Sequence, residues 1–326
     1  MKVKTIVISA LLTCAAAASY AQDYGDIRSL ALASQGNGGG LQYGQDDVTF
    51  DTGARISGGV SWSIIPKRFS VSLDEELRIK DIFSNFNKSY TSAAAEYRIL
   101  PFLKTEASYS FIMTKNSSGV WRNRHRGALS LTGTWSPGRW KFSLKEKLQA
   151  TYKAYDINLF QAPRTDLALK TRIKVSYDFR HSRWEPYASV EIRNTLNAVN
   201  PDSFIYGKYT WEKFDGDDWV SKSRTCYGNL SPSYSDIYIN RLRFQAGTEY
   251  KFRKDRVLTM YVVVDCNYDM PVDFSSNGIQ KSYSSYLEDN PSSDISENNY
   301  YSYGTGILTL QDSYYAGIGL SFKFKL

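Results

Sequence analysis

The stretch from Arg68 to Lys80, RFSVSLDEELRIK, restricts the fold more than any other part of the chain. In an extended strand Phe69, Val71, Leu73, Leu77 and Ile79 share one face, and Ser70, Ser72, Asp74, Glu76, Arg78 and Lys80 share the other. A helix would scatter both sets around its circumference. The same alternation returns along the chain and predicts strands over Ala54 to Ile65, Arg68 to Lys80, Ser89 to Ile99, Leu103 to Thr114, His125 to Ser136 and Arg139 to Lys153. It continues over Thr165 to Phe179, Glu185 to Asn197, Asp236 to Arg253, Val257 to Asn267 and Ser313 to Leu326. A polar face this charged is not packed against an apolar protein core, because unpaired charge taken out of water is costly. Apolar face to lipid and charged face to a lumen satisfies both. The expected fold is an all-β, antiparallel, up-and-down transmembrane β-barrel.

Composition enters as a check on that expectation. With 22% charged residues, the chain has one long apolar run, near its start, so helical membrane spans of roughly 20 apolar residues are excluded beyond it. Lys2 and Lys4 precede an apolar segment from Thr5 to Ala18, and Ser19-Tyr20-Ala21 ends in the small residues of a signal peptidase site. Residues 1–21 are therefore expected to be a cleaved signal peptide and residues 22–326 the barrel. The alternative is a lipoprotein acylated at Cys14, although Leu11-Leu12-Thr13 is a poor lipobox. The 25 Tyr, 16 Phe and 7 Trp suit aromatic girdles at two membrane interfaces. The formal charge of +7 is spread through strand patterns and not gathered in a tail or helix, so nucleic acid is not an expected partner.

Connection lengths alternate. Short turns fall at Pro66-Lys67, Leu100-Pro101-Phe102, Ser136-Pro137-Gly138, His181 to Trp184 and Lys254-Asp255. Longer loops fall at Asp81 to Lys88, Lys115 to Arg124, Ala154 to Arg164, Ala198 to Ser235 and Tyr268 to Asp312. Short periplasmic turns and long extracellular loops are the pattern of a bacterial outer-membrane barrel. Eleven strands is an odd number, and counting a weak strand from Tyr24 to Gln35 as the first gives about twelve, with both termini in the periplasm.

The segment IPKRFSVSLDEELRI, the NTLN of Asn194 to Asn197 and the terminus GIGLSFKFKL resemble the domain-of-unknown-function family 2490, outer-membrane β-barrel proteins of Bacteroidota and related bacteria. The resemblance implies a barrel and an outer-membrane address, and transfers no catalytic residue. In the last strand Ala316, Ile318, Leu320, Phe322, Phe324 and Leu326 alternate with small or charged residues. This is similar to the C-terminal signal read by the outer-membrane assembly machinery, with Leu where Phe is commonest; an ordinary edge strand is the alternative.

Extending each strand's phase inward places Lys141, Lys145 and Lys147 opposite Lys170, Arg172 and Lys174, a basic wall that would favour small anionic solutes. The competing reading pairs charges of both signs across a narrow, plugged interior. Glu75 and Glu146 fall on the apolar phase, and a local bulge or a neutral carboxylic acid is the expected explanation. His125 and His181 belong at opposite rims and cannot share a site, and the residue two positions past His125 is Gly127, not a serine. The loop from Ala198 to Ser235 is rich in aromatic rings, and that from Tyr268 to Asp312 is acidic. Asp215-Gly216-Asp217-Asp218 lacks the spacing of a calcium loop. Cys226 and Cys266 could form a disulfide tethering the first loop to the rim. No cofactor, metal centre or enzyme activity is expected. The leading reading is a passive, porin-like outer-membrane barrel with an anion-leaning lumen, in contact with lipid and lipopolysaccharide. Behind it stand a closed structural or surface-binding barrel using its long aromatic loops, and an outer-membrane lipid-modifying enzyme.

Overall fold

A computed structural model describes residues 42–45, 48–81, 84–116, 119–155, 157, 162–199, 205–214, 219–228, 234–253, 255–269, 272–275 and 305–326. The described residues contain strands and turns and no helix. The strands are β1 (Gln42–Gln45), β2 (Thr49–Ile65), β3 (Phe69–Lys80), β4 (Asn85–Leu100), β5 (Leu103–Lys115), β6 (Trp121–Trp135), β7 (Trp140–Lys153), β8 (Thr165–Tyr177) and β9 (Trp184–Ala198). They continue as β10 (Ile205–Phe214), β11 (Trp219–Gly228), β12 (Asp236–Arg253), β13 (Arg256–Asp269), β14 (Val272–Ser275) and β15 (Thr305–Lys325).

Eleven of these, β2 to β9 with β12, β13 and β15, form one continuous wall, antiparallel at every neighbour but one. The exception is the seam. β15 pairs with β2 in parallel, from Ser313 opposite Thr49 to Lys325 opposite Ser61, and the sheet is closed. An odd number of alternating strands can close only this way, because the first and last run in the same direction. The chain therefore enters the wall at the long-loop end and leaves it at the short-turn end. This departs from the expected twelve strands with both termini at one end; the strand expected over Tyr24 to Gln35, like residues 1–21, lies outside the described residues. At the foot of the seam Leu326 donates its N–H to Ser61 O at 2.8 Å and accepts from Ser63 N at 3.2 Å.

Every connection at one end of the barrel is short, six residues at most, and the longest ones, β7–β8, β9–β12 and β13–β15, lie at the other. That end also holds β3–β4 with four residues and β5–β6 with five, because β4 begins at Asn85, inside the loop expected from Asp81 to Lys88. Three of the short turns place a residue in the left-handed region: Gly138 at φ 63°, Lys67 at 64° and His181 at 61°. The long-loop end holds two features within the expected loops Ala198 to Ser235 and Tyr268 to Asp312. Ile205–Phe214 and Trp219–Gly228 form a separate antiparallel hairpin, and β15 begins at Thr305, where its first residues pair with β1 on one side and β14 on the other.

The wall is turned inside out relative to a water-soluble sheet protein. Alternate residues point outward as Leu73, Leu129, Leu131, Leu148, Val262, Val264, Ile318 and Leu320, all classed as exposed, with Leu129 at 63%. Their neighbours in sequence point inward as Arg55, Gln149, Thr151, Glu191, Arg243 and Asp265, all buried. Outward aromatic rings gather at both ends. At the short-turn end Trp140 packs on Tyr177 at 4.8 Å, Trp184 on Tyr250 at 4.6 Å and Phe322 on Phe324 at 4.5 Å. At the long-loop end Phe50 stacks on Tyr314 at 5.4 Å and Phe86 on Trp121 at 5.4 Å. On β7 Trp140 and Phe142 stand at one end and Tyr152 at the other, and the inner pair, Phe142 and Tyr152, is about 33 Å apart along the strand. A tilt of about 40° reduces this to a band about 25 Å tall.

Candidate functional site: the charged interior

Inward residues form rows around the barrel, because antiparallel register sets them side by side. One row runs from Lys145 to Arg172, then Glu191, Arg243, Asp265 and Tyr315. Its charges interlock. Glu191 accepts from Arg172 Nε at 2.9 Å and from a second nitrogen of the same guanidinium, and from Arg241 Nη2 at 2.8 Å. Asp265 accepts from Arg243 Nε at 2.5 Å and Nη2 at 2.7 Å, and from Arg55 Nη2 at 2.8 Å. Arg55 lies on β2 and Asp265 on β13, so this pair straddles the parallel seam. The Arg55 guanidinium also stands 4.9 Å from the centroid of Tyr315. With Glu191 at 3% exposure and Asp265 at 5%, the belt occludes that side of the interior.

Toward the short-turn end the interior opens. Lys145 Nζ reaches Glu106 at 3.0 Å, Lys174 reaches Glu249 at 2.5 Å, Lys104 reaches Glu96 at 2.7 Å and Lys251 reaches Glu185 at 2.6 Å. Lys323 bridges the seam to Asp74 at 3.3 Å with more than half of its side chain exposed. These pairs line a water-accessible vestibule.

The expected basic wall is present as geometry and divided in chemistry. Lys145 lies directly opposite Arg172 and Lys147 opposite Lys170, while Lys141 faces Ser176 and Lys174 faces Ser143. Lys145, Arg172 and Lys174 are neutralised by Glu106, Glu191 and Glu249. Among the described residues Lys141, Lys147 and Lys170 have no ion-pair partner. Register also extends the wall beyond the expected residues: Lys170 is opposite Arg193, and Arg193 opposite Arg241. Phase alone identifies Arg193 and Arg241 as inward-facing. Their place in this row follows from the unbroken register of β8 with β9 and of β9 with β12 up to Arg241; the bulge in β12 lies just beyond it, between Ile239 and Arg241.

The tyrosine rings of the interior cover glycines at the seam. A Cβ built on Gly319 would lie 1.9 Å from the Tyr261 ring, so glycine is what allows the ring to lie flat on the wall.

Glu75 and Glu146 face outward, and no bulge causes it: the register is unbroken through both positions. Each is answered by hydroxyls on the same outer face. Ser89 Oγ and Thr91 Oγ1 both donate to Glu75 at 2.6 Å, and Thr171 Oγ1 donates to Glu146 at 2.8 Å. His125 also faces outward, its Nδ1 2.7 Å from Tyr109 Oη and its ring beside Phe111 and Tyr152. His181 lies in the β8–β9 turn at the far rim, as expected. Cys266 carries a free thiol on the outward phase, opposite Leu242 and Tyr314. The side chain of Cys226 lies outside the described residues, as do Asp215 to Asp218 and the acidic stretch 276–304.

No curated protein and no solved structure matches the chain. Residues 60–209 match the family model described as protein of unknown function (DUF2490). The match contains IPKRFSVSLDEELRI, from Ile65 to Ile79, and the NTLN at the end of β9, and runs from within β2 into β10. Over these residues the chain is similar to the DUF2490 family, in line with the resemblance read from the sequence.

Proposed function

We propose that the protein is an outer-membrane β-barrel, formed from residues 22–326 after removal of a signal peptide, that gives small anions a narrow passive path. The observation that carries the reading is the inverted wall: large apolar side chains outward, charged side chains inward, and two aromatic girdles about 25 Å apart, which matches an outer-membrane hydrocarbon band. A soluble monomer does not leave a continuous apolar belt in water. The unpaired cations of the Lys147–Lys170–Arg193 row support a preference for anions, since rings of Arg and Lys select anions by charge. The outward phase of the last strand, ending at Leu326, supports recognition by the outer-membrane assembly machinery, and the long-loop end would meet lipopolysaccharide. The barrel carries no reaction in this reading.

The buried belt around Glu191 and Asp265 favours a second reading, a barrel closed at mid-height whose upper hairpin, β10 and β11, does the binding. Conductance of the refolded mature chain in a planar bilayer under a salt gradient separates the two. Stable steps with an anion-selective reversal potential support the path. Silence from a folded, heat-modifiable barrel overturns it in favour of the closed barrel.

A further inference from the structure

Lys147, Lys170, Arg193 and Arg241 stand side by side on four adjacent strands, each directly opposite the next. Neighbouring strands are about 4.8 Å apart, and like charges directly opposite one another destabilise a sheet. Only Arg241 has a carboxylate, Glu191, within bonding distance. A further cation lies beside the row: Arg126, on β6 next to β7 in the same wall, acts electrostatically on Lys170, and Arg193 acts on Arg126. The Nε atoms of Arg124, Arg193 and Arg241 are buried and make no hydrogen bond among the described residues. The nearby anions, Glu191 and Asp269, act on this cluster, but Glu191 is already shared between Arg172 and Arg241. Asp269 acts on Arg193 and Arg241 without an ion pair, so Lys147, Lys170 and Arg193 crowd together, with unspent donors and no carboxylate within ion-pair distance among the described residues.

We infer that this cluster is a binding site for a doubly charged oxyanion of the phosphate or sulfate class, held between Lys170 and Arg193 with Arg126 beside them. Guanidinium groups present paired donors that match such an oxyanion, and a lysine adds a compact point charge. The inference deepens the anion-path reading by naming the site at which an anion pauses, and it rests on that reading for access to the interior.

The test uses the full mature chain folded in detergent micelles at constant ionic strength. Thermal midpoints are recorded against inorganic phosphate, a hexose phosphate and chloride, for the wild type, Lys170→Gln and Arg193→Gln. The site predicts a saturable rise in midpoint with phosphate that chloride does not give, and an apparent affinity at least about tenfold weaker in both variants, a loss equivalent to about 1.4 kcal/mol. Both variants relieve repulsion in the row, so they should fold at least as well as the wild type without ligand. Saturation by inorganic phosphate alone assigns a free oxyanion; saturation by both phosphates assigns the phosphoryl group of a larger solute. A response equal in chloride, or unchanged in the variants, overturns the site. A silent bilayer with saturable phosphate binding removes the conducting path and keeps the site, whereas a conducting barrel with no phosphate response removes the site alone.

Discussion

Glu191 is the carboxylate on which the interior belt depends, and Glu191→Gln tests it. In the folded chain it is almost inaccessible to water, accepts two bonds from Arg172 and one from Arg241, and lies 3.9 Å from Arg243 Nη1. Glutamine keeps the shape and one acceptor oxygen but removes the charge that all three guanidinium groups share. Removing one partner from a buried ion pair leaves uncompensated charge and costs ~3–5 kcal/mol. That is roughly two to three and a half powers of ten in the folding equilibrium. Glu249→Gln is the internal control, because its pair with Lys174 is partly exposed on both sides, and such pairs contribute about 0.2–1 kcal/mol. Equilibrium unfolding in urea with lipid vesicles, followed by tryptophan fluorescence and electrophoretic heat-modifiability, reads both. A Glu191→Gln cost below about 1 kcal/mol, or equal to that of Glu249→Gln, would refute the belt as a structural element.

The outer face gives three further expectations. Leu131→Arg should cost about 2–4 kcal/mol in vesicles, since Leu131 points outward within the apolar band, and the same assay reads it. Glu146→Leu should instead raise stability in vesicles, because it removes a carboxyl from that face at the loss of one hydroxyl bond from Thr171; a measured loss would show that the Glu146–Thr171 contact is needed. Gly319→Ala should destabilise by about 1–3 kcal/mol, because its methyl would overlap the Tyr261 ring. The Gly319→Ala/Tyr261→Ala double variant should then show no further penalty from the methyl.

Period-two alternation made the eleven wall strands legible, and Arg68 to Lys80 became β3 within one residue. In and out followed from the same pattern, because each inward charge alternates with an outward apolar residue. Closure did not follow. Pairing β2 with β15 joins residues more than 250 positions apart, and no local pattern encodes it. The upper hairpin escaped for another reason: segments such as IYGKYTWEKF carry rings on both faces and lack the apolar and polar alternation by which the wall was read. The site was half legible. Lys170 and Arg193 can be set opposite each other by counting back from the short β8–β9 turn, but Lys147 and Arg241 lie across the long connections that precede β8 and β12, and a long connection fixes no register. Glu75 and Glu146 appeared as defects in a pattern until the hydroxyls of Ser89, Thr91 and Thr171 were found beside them on the neighbouring strands.

The central claim is that the apolar face meets lipid and the charged face meets water. Single cysteines along β7 from Phe142 to Tyr152, spin-labelled in the barrel refolded into lipid vesicles, test it residue by residue. Accessibility to oxygen should peak at Phe142, Leu144, Leu148 and Ala150, and accessibility to a water-soluble nickel chelate at Ser143, Lys145 and Lys147, with a period of two. Uniform access to the nickel reagent, or the two phases exchanged, would contradict the account.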